Sequence, residues 1–303
     1  MGRGPRIIIP LGGESHSSEV WIGLTPSPKA LRDLSADDIC MACEQNYIDY
    51  WRSVGLTPNA EFSEDGGITR CITGLGQEFL NVVMSCKLPG DSLGSSIDAM
   101  IDQFRRRRLL LTWHVGRLTV PRDLGRHLEA RGFPHDYDLT AMAYDLEQED
   151  VSKPPEGVAV RRVSSGEDCR TWVSCLTRGW ESPPDVAPWM NENACYNIPL
   201  ESRMRISLPR RMYLGMLNGR PVGASMLFWS KDVAGLQCVG TAHEGRGKGV
   251  GGAVVSAALA DARALGFRHV VVLSTVEGIG MYRRVGFLTF GKLPEHSMDF
   301  RLA

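Results

Sequence analysis

The run Arg246-Gly247-Lys248-Gly249-Val250-Gly251 gathers the residue types that hold a phosphate. It follows a strand-like run, Leu236 to Thr241, and precedes Ala253 to Leu265, an Ala- and Leu-rich segment that Gly266 closes where a helix stop is expected. A helix start offers unpaired N–H groups and partial positive charge, and glycines let a pyrophosphate reach the backbone without meeting a side chain. Arg246 and Lys248 add cationic reach. The spacer and terminal Gly-Lys-Ser/Thr of triphosphate loops are missing, as is a Gly-x-Gly-x-x-Gly fingerprint after a parallel strand. The competing reading is a glycine-rich turn with no ligand.

The elements around this loop read as an α/β or α+β domain. Val158 to Val163 alternates like a strand, and Glu167 to Gly179 has helical spacing with Ser164 or Ser165 placed to cap it. Arg211 to Leu217 and Pro221 to Trp229 flank Asn218-Gly219, a favoured hairpin turn, and Lys231-Asp232 leads into Val233 to Thr241. After the loop come a buried-type strand, His269 to Ser274, a short helix, Gly278 to Val285, closed by Gly286, and extended chain from Phe287 to Phe300.

At 303 residues the chain exceeds the roughly 100 to 200 residues of a single domain. The apolar pattern stops between Glu147 and Gly157, so a first domain is expected over 1–150 and a second over 157–303. The first half predicts a helix from Ser35 to Ser53, strands near Ile68 to Thr73 and Phe79 to Cys86, a helix around Ile97 to Arg107 and a strand from Leu109 to Val115. Pro121 then opens a helix as a first-turn residue. Leu128-Glu-Ala-Arg-Gly-Phe133 parallels Tyr282-Arg-Arg-Val-Gly-Phe287, a weak internal repeat in which the first copy has no glycine-rich loop.

With 34 basic and 35 acidic residues, nothing steers the chain toward nucleic acid or an anionic membrane, and a small, local ligand is expected. No apolar stretch approaches the ~20 residues that span a bilayer, and Met1 to Pro10 lacks a signal-peptide core. The eight cysteines sit mostly in apolar or helical stretches, a pattern that suits a reducing cytoplasm. Cys40 and Cys43 have half of a zinc spacing without a second ligand pair, so no metal is expected. Arg105 to Arg108 is the one dense basic run and reads as a solvated helix face, with an acidic partner as the alternative.

Arg246, Gly249 and Gly251 match the Gln/Arg-x-x-Gly-x-Gly/Ala signature of the GNAT N-acyltransferase superfamily, and the second half resembles that family in the order of its strands, loop and Met281-Tyr282-Arg-Arg-Val-Gly-Phe287. The resemblance implies a mixed α/β sheet of about six or seven strands, a first half that is a degenerate relative of the same fold, and acetyl-coenzyme A as co-substrate. Its pyrophosphate would rest on the loop from Arg246 through Gly247, Lys248, Gly249, Val250 and Gly251 to Gly252. Its pantetheine arm would run between two splayed strands along Cys238, Val239, Gly240 and Thr241, with Ser274 on the facing strand.

What the resemblance implies chemically is direct attack of an amine on the thioester. Tyr282 matches the family tyrosine that faces the coenzyme sulfur and is the candidate general acid, against the alternative of a packed aromatic beside Phe287. The N–H near Val239 would polarise the carbonyl. Candidates for the base are His243, Glu244 and Glu277; where the family often has a glutamate this chain has Gln237 and Cys238, which leaves a water-mediated route open. Trp180, Trp189 and Tyr196 fall where the acceptor would bind. The expectation is a cytoplasmic N-acetyltransferase of small amines, monomeric or homodimeric. Its alternatives are another acyl-coenzyme A or a protein amine as substrate, and a sensor that binds the coenzyme without turnover.

Overall fold

Ser35 starts the first helix as its sequence demands: its hydroxyl accepts from the Asp38 N–H at 3.1 Å while the Asp38 carboxylate accepts from the Ser35 N–H at 2.9 Å, a capping box. The computed structural model describes residues 29–57, 59–77, 79–148, 153–194, 208–231 and 233–301. In the first half, α1 (Ala36–Val54) is followed by β1 (Glu61–Asp65), β2 (Ile68–Ile72), β3 (Asn81–Cys86), α2 (Leu93–Arg107), β4 (Leu110–His114), α3 (Leu124–Glu129) and β5 (His135–Asp145). The second half runs β6 (Val158–Arg162), α4 (Gly166–Gly179), α5 (Val186–Ala194), β7 (Arg210–Leu217), β8 (Arg220–Ser230), β9 (Val233–Thr241), α6 (Val250–Ala264), β10 (His269–Ser274), α7 (Val276–Val285) and β11 (Leu288–Asp299).

Alternation along the strands builds two helical layers on one sheet. On β7 and β8, Met212, Leu214, Met226 and Phe228 pack against α4 and α5, while Tyr213, Leu227 and Trp229 pack against α6. On β3, Val82 and Met84 share the first layer with α1, and Val83 faces α2 and α3. Asn218 and Gly219 turn the β7–β8 hairpin at φ of 50° and 77°, the positive values that a two-residue turn requires.

One sheet of eleven strands runs through both halves in the order β1-β2-β3-β4-β11-β5-β10-β9-β8-β7-β6; six of them, β6 to β11, come from the second half, for which the resemblance implied six or seven. The halves exchange their last strands. The second half's β11 pairs with β4 of the first, and the first half's β5 pairs with β10 of the second. The two strands then pair with each other at the centre.

Each half also contains one parallel pair that opens. β3 and β4 pair only at Val82↔Thr112 and Val83↔Trp113, and β9 and β10 only at Val270↔Ala234 and Val271↔Gly235. In the first half the opening is filled by the chain itself: Val120 donates to Cys86 O at 2.8 Å and accepts from the Leu88 N–H at 3.0 Å. Among the described residues no such segment closes the β9–β10 opening.

Elsewhere the structure differs from expectation at two points. Pro121 lies in a turn before α3 rather than within it, accepting from the Leu124 N–H at 3.3 Å. The polar edge strand β1 was not expected; Gly66 and Gly67, at φ of 54° and 76°, turn it into β2. Among the described residues Cys40, Cys43, Cys71, Cys86 and Cys175 are free and buried. Arg105 and Arg107 pair with Asp102 and Glu61 on an exposed face. The expected Lys231-Asp232 turn includes residue 232, which lies outside the described residues.

Candidate active site

The opening beside β9 begins at a β-bulge. Gln237 pairs with Met226 and Gly240 with Ala224, so Cys238 and Val239 together oppose Ser225, and Cys238 takes a φ of 53°. A non-glycine residue in this left-handed region costs on the order of 1 kcal/mol. The bulge turns the end of β9 away from β10. Cys238, Val239, Gly240 and Thr241 then form one wall of a cleft of about 1500 Å³, with Val272, Leu273 and Ser274 on the other.

At its polar end the cleft meets the glycine-rich loop. Gly249 starts α6 at a φ of 80°, and the first helical hydrogen bond runs from the Ala253 N–H to Gly249 O at 3.0 Å. Among the described residues the N–H groups of Gly247, Gly249, Val250, Gly251 and Gly252 have no backbone acceptor, which leaves a row of donors at the positive end of the helix dipole. Lys248, Lys153 and Arg284 line the same end. Arg246 lines the cleft too, and its guanidinium donates to Thr241 O at 3.2 Å and to Gly179 O and Glu181 Oε1 at 3.0 Å each, tying β9 to the end of α4.

Tyr282 is 5% exposed, stands edge-on to Phe287 with ring centroids 5.2 Å apart, and lines the cleft opposite β9. Burial pushes its hydroxyl well above the ordinary tyrosine value, so the group remains a hydrogen-bond donor throughout the neutral range. Ser274 is buried and donates its hydroxyl to Thr275 O at 2.8 Å.

Sequence reasoning expected the first half to help cover the acceptor site but named none of its residues. Tyr47, Tyr50 and Trp51 of α1, together with Phe79, line the cleft beside Trp180 and Trp189. Phe79 meets Trp180 edge-on at 5.3 Å, and Trp180 Nε1 donates to Val239 O at 3.1 Å. No local pattern in α1 marks these residues, because their neighbours come from strands nearly 200 positions away. Lys153 and Arg284 were missed as well; Lys153 lies 93 positions before Arg246, and its place in the cleft required the fold.

Of the candidate bases, His243 and Glu244 do not line the cleft, and Glu244 pairs on the surface with Arg178 at 2.5 Å. Glu277 lines it but is exposed in the first turn of α7. Gln237 donates to Asn46 Oδ1 at 2.9 Å. Tyr196 lies outside the described residues.

Residues 172–287 match the acetyltransferase (GNAT) family. A mycothiol acetyltransferase of Geodermatophilus obscurus is 24% identical over 211 residues, covering 64% of this chain and 65% of that protein, so the chain spans just under two thirds of this relative's length. Among solved structures, a GCN5-related N-acetyltransferase from Kribbella flavida superposes with a TM-score of 0.61 at 16% identity, over 85% of this chain and 95% of that one. A tandem GNAT protein from the clavulanic acid biosynthesis pathway does so with a TM-score of 0.53 at 14% identity, over 88% and 97%. These likenesses extend the fold to the first half, whose architecture is that of a tandem GNAT protein.

Proposed function

Residues 172–287 form an acetyltransferase domain of the GNAT family, and from that premise we propose that the protein transfers an acetyl group from acetyl-coenzyme A to the amine of a small molecule. The observation that carries this reading is the opening of β9 from β10, which leads from the unpaired loop amides to Tyr282. Bound there, the coenzyme supplies an activated acyl thioester. The amides from Gly247 to Gly252, with Lys153, Lys248 and Arg284, fit its anionic end. The walls on Cys238 to Thr241 and on Ser274 fit an uncharged arm.

In this reading the Val239 N–H faces the thioester oxygen and the Tyr282 hydroxyl donates to the departing sulfur. Burial makes Tyr282 a poor proton donor in full transfer, so a hydrogen bond to developing charge is its contribution. With the first domain taken as 1–150 and the second as 157–303, the first contributes Tyr47, Tyr50 and Phe79 to the acceptor end of the cleft. An aromatic-lined cleft suits a small acceptor, and the relative from Geodermatophilus obscurus is named for a small molecule, mycothiol.

Calorimetric titration with acetyl-coenzyme A, followed by thiol-release assays over an amine panel, tests this. Binding and turnover are expected. Tyr282→Phe should lower kcat by about tenfold to a hundredfold while leaving acetyl-coenzyme A affinity near its original value. Binding without thiol release from any amine would favour a sensor, and no binding at all would remove the acyltransferase reading.

A further inference from the structure

Acyl transfer leaves the anchor of the acceptor unassigned. Of the acidic side chains that line the cleft, Glu295 is the buried one, at 1% exposure. It stands on β11 directly across from His114 on β4, with Oε1 2.7 Å from His114 Nε2. Neither atom has a partner in line for a hydrogen bond.

A buried carboxylate is costly unless its acceptor sites are met. Two carboxylate oxygens offer about four such sites, and here one imidazole stands near one oxygen. Such a group beside a cleft is a marker of function. The backbone provides a second, independent sign. The β11–β5 register slips between Glu295 and His296, a bulge of the kind that re-aims side chains next to a site. The surroundings are aromatic: the Tyr47 ring lies 5.2 Å from the His114 ring, and Tyr47, Tyr50 and Trp51 line the cleft with Glu295. His114 comes from the first half and Glu295 from the second, and the strand exchange brings them together.

We propose that Glu295 anchors the acceptor as it arrives in its ammonium form and accepts the proton that the nitrogen sheds before it attacks, with His114 as the positioning residue of Glu295, so that the cleft selects primary amines carrying an apolar or aromatic body. An ammonium ion placed between a carboxylate and aromatic faces gains a charge-assisted hydrogen bond and cation–π attraction together. This inference rests on the acyl-transfer reading for its purpose, but not for its test.

The test compares tyramine with 4-ethylphenol, the same ring with and without the ammonium, by calorimetry on the full chain with and without coenzyme A. The wild-type protein should prefer tyramine by about tenfold or more. Glu295→Gln should remove that preference and leave 4-ethylphenol and coenzyme A affinities in place. Should circular dichroism show that Glu295→Gln is unfolded, His114→Gln takes its place and should narrow the preference by about threefold or more. Equal affinity for the two ligands in the wild-type protein, or a preference that survives in the folded variant, overturns the proposal. A protein that fails to bind coenzyme A but prefers tyramine through Glu295 would sink the acyl-transfer reading alone.

Discussion

The Cys238 sulfur lies 3.1 Å from the Tyr50 hydroxyl, joining the bulge of β9 to the helix that the first half lays across it. Burial pushes the Cys238 thiol up to about 12 despite this hydrogen bond, and burial also holds Tyr50 well above its usual value. Cys238 is therefore a thiol at neutral pH and lacks the thiolate that a covalent acyl intermediate needs. It should react with a disulfide reagent at pH 8 about a hundredfold or more slowly than free cysteine. Cys238→Ala should raise KM for acetyl-coenzyme A by a few-fold and keep most of kcat. An acylated Cys238 trapped by mass spectrometry would falsify direct transfer.

Two loop glycines separate ligand binding from folding. Gly249, at φ 80°, has room for no β-carbon, since one would stand 2.6 Å from Pro155 Cγ. At Gly251 the nearest atom to a β-carbon is Thr241 Oγ1, at 3.3 Å. A carboxylate in the first turn of α6 favours the helix by about 0.5 kcal/mol and repels a pyrophosphate. Gly251→Asp should thus hold the melting temperature and lower coenzyme A affinity by about tenfold or more. Gly249→Ala should lower both, with a loss of about 1 to 2 kcal/mol in stability. Unchanged affinity in Gly251→Asp would take the loop out of the site.

Much of the second half was legible because its signals are local. β9 and β10 begin and end where their apolar runs do, and Ser165 caps α4 by accepting from the Asp168 N–H at 3.1 Å. Strand exchange leaves no such mark. The run from Leu139 to Leu146 is largely apolar whichever neighbour it meets, since a strand's side-chain pattern encodes a face and not a partner. Glu295 was overlooked for the same reason: in Leu293-Pro294-Glu295-His296 it reads as an ordinary polar position, and its burial depends on β4 and β5 from the other half. The loop glycines announced an anion site, while the aromatic lining from α1 required the fold.

Alkaline pH should destabilise the protein through its buried acids. Burial raises the Cys71 thiol from 9.0 to about 12 and the Cys86 thiol from 9.0 to about 11, and it raises Tyr47 and Tyr282 beyond the usual tyrosine range. In each case the folded chain keeps its proton after the unfolded chain has lost one. Stability is then complete below the unfolded value, near 9.0 for the thiols, and falls as pH rises toward the folded value. Each thiol contributes a slope of about 1.4 kcal/mol per pH unit, and the tyrosines join from about pH 10. Urea unfolding in the presence of a reductant, from pH 7.5 to 10.5, should show a midpoint that is level at first and then falls steeply. Cys86→Ala should flatten the fall by about one thiol's slope. A midpoint that stays level to pH 10.5 would mean that these thiols meet solvent, and that the layers holding Cys71 against α1 and Cys86 against α2 are both open.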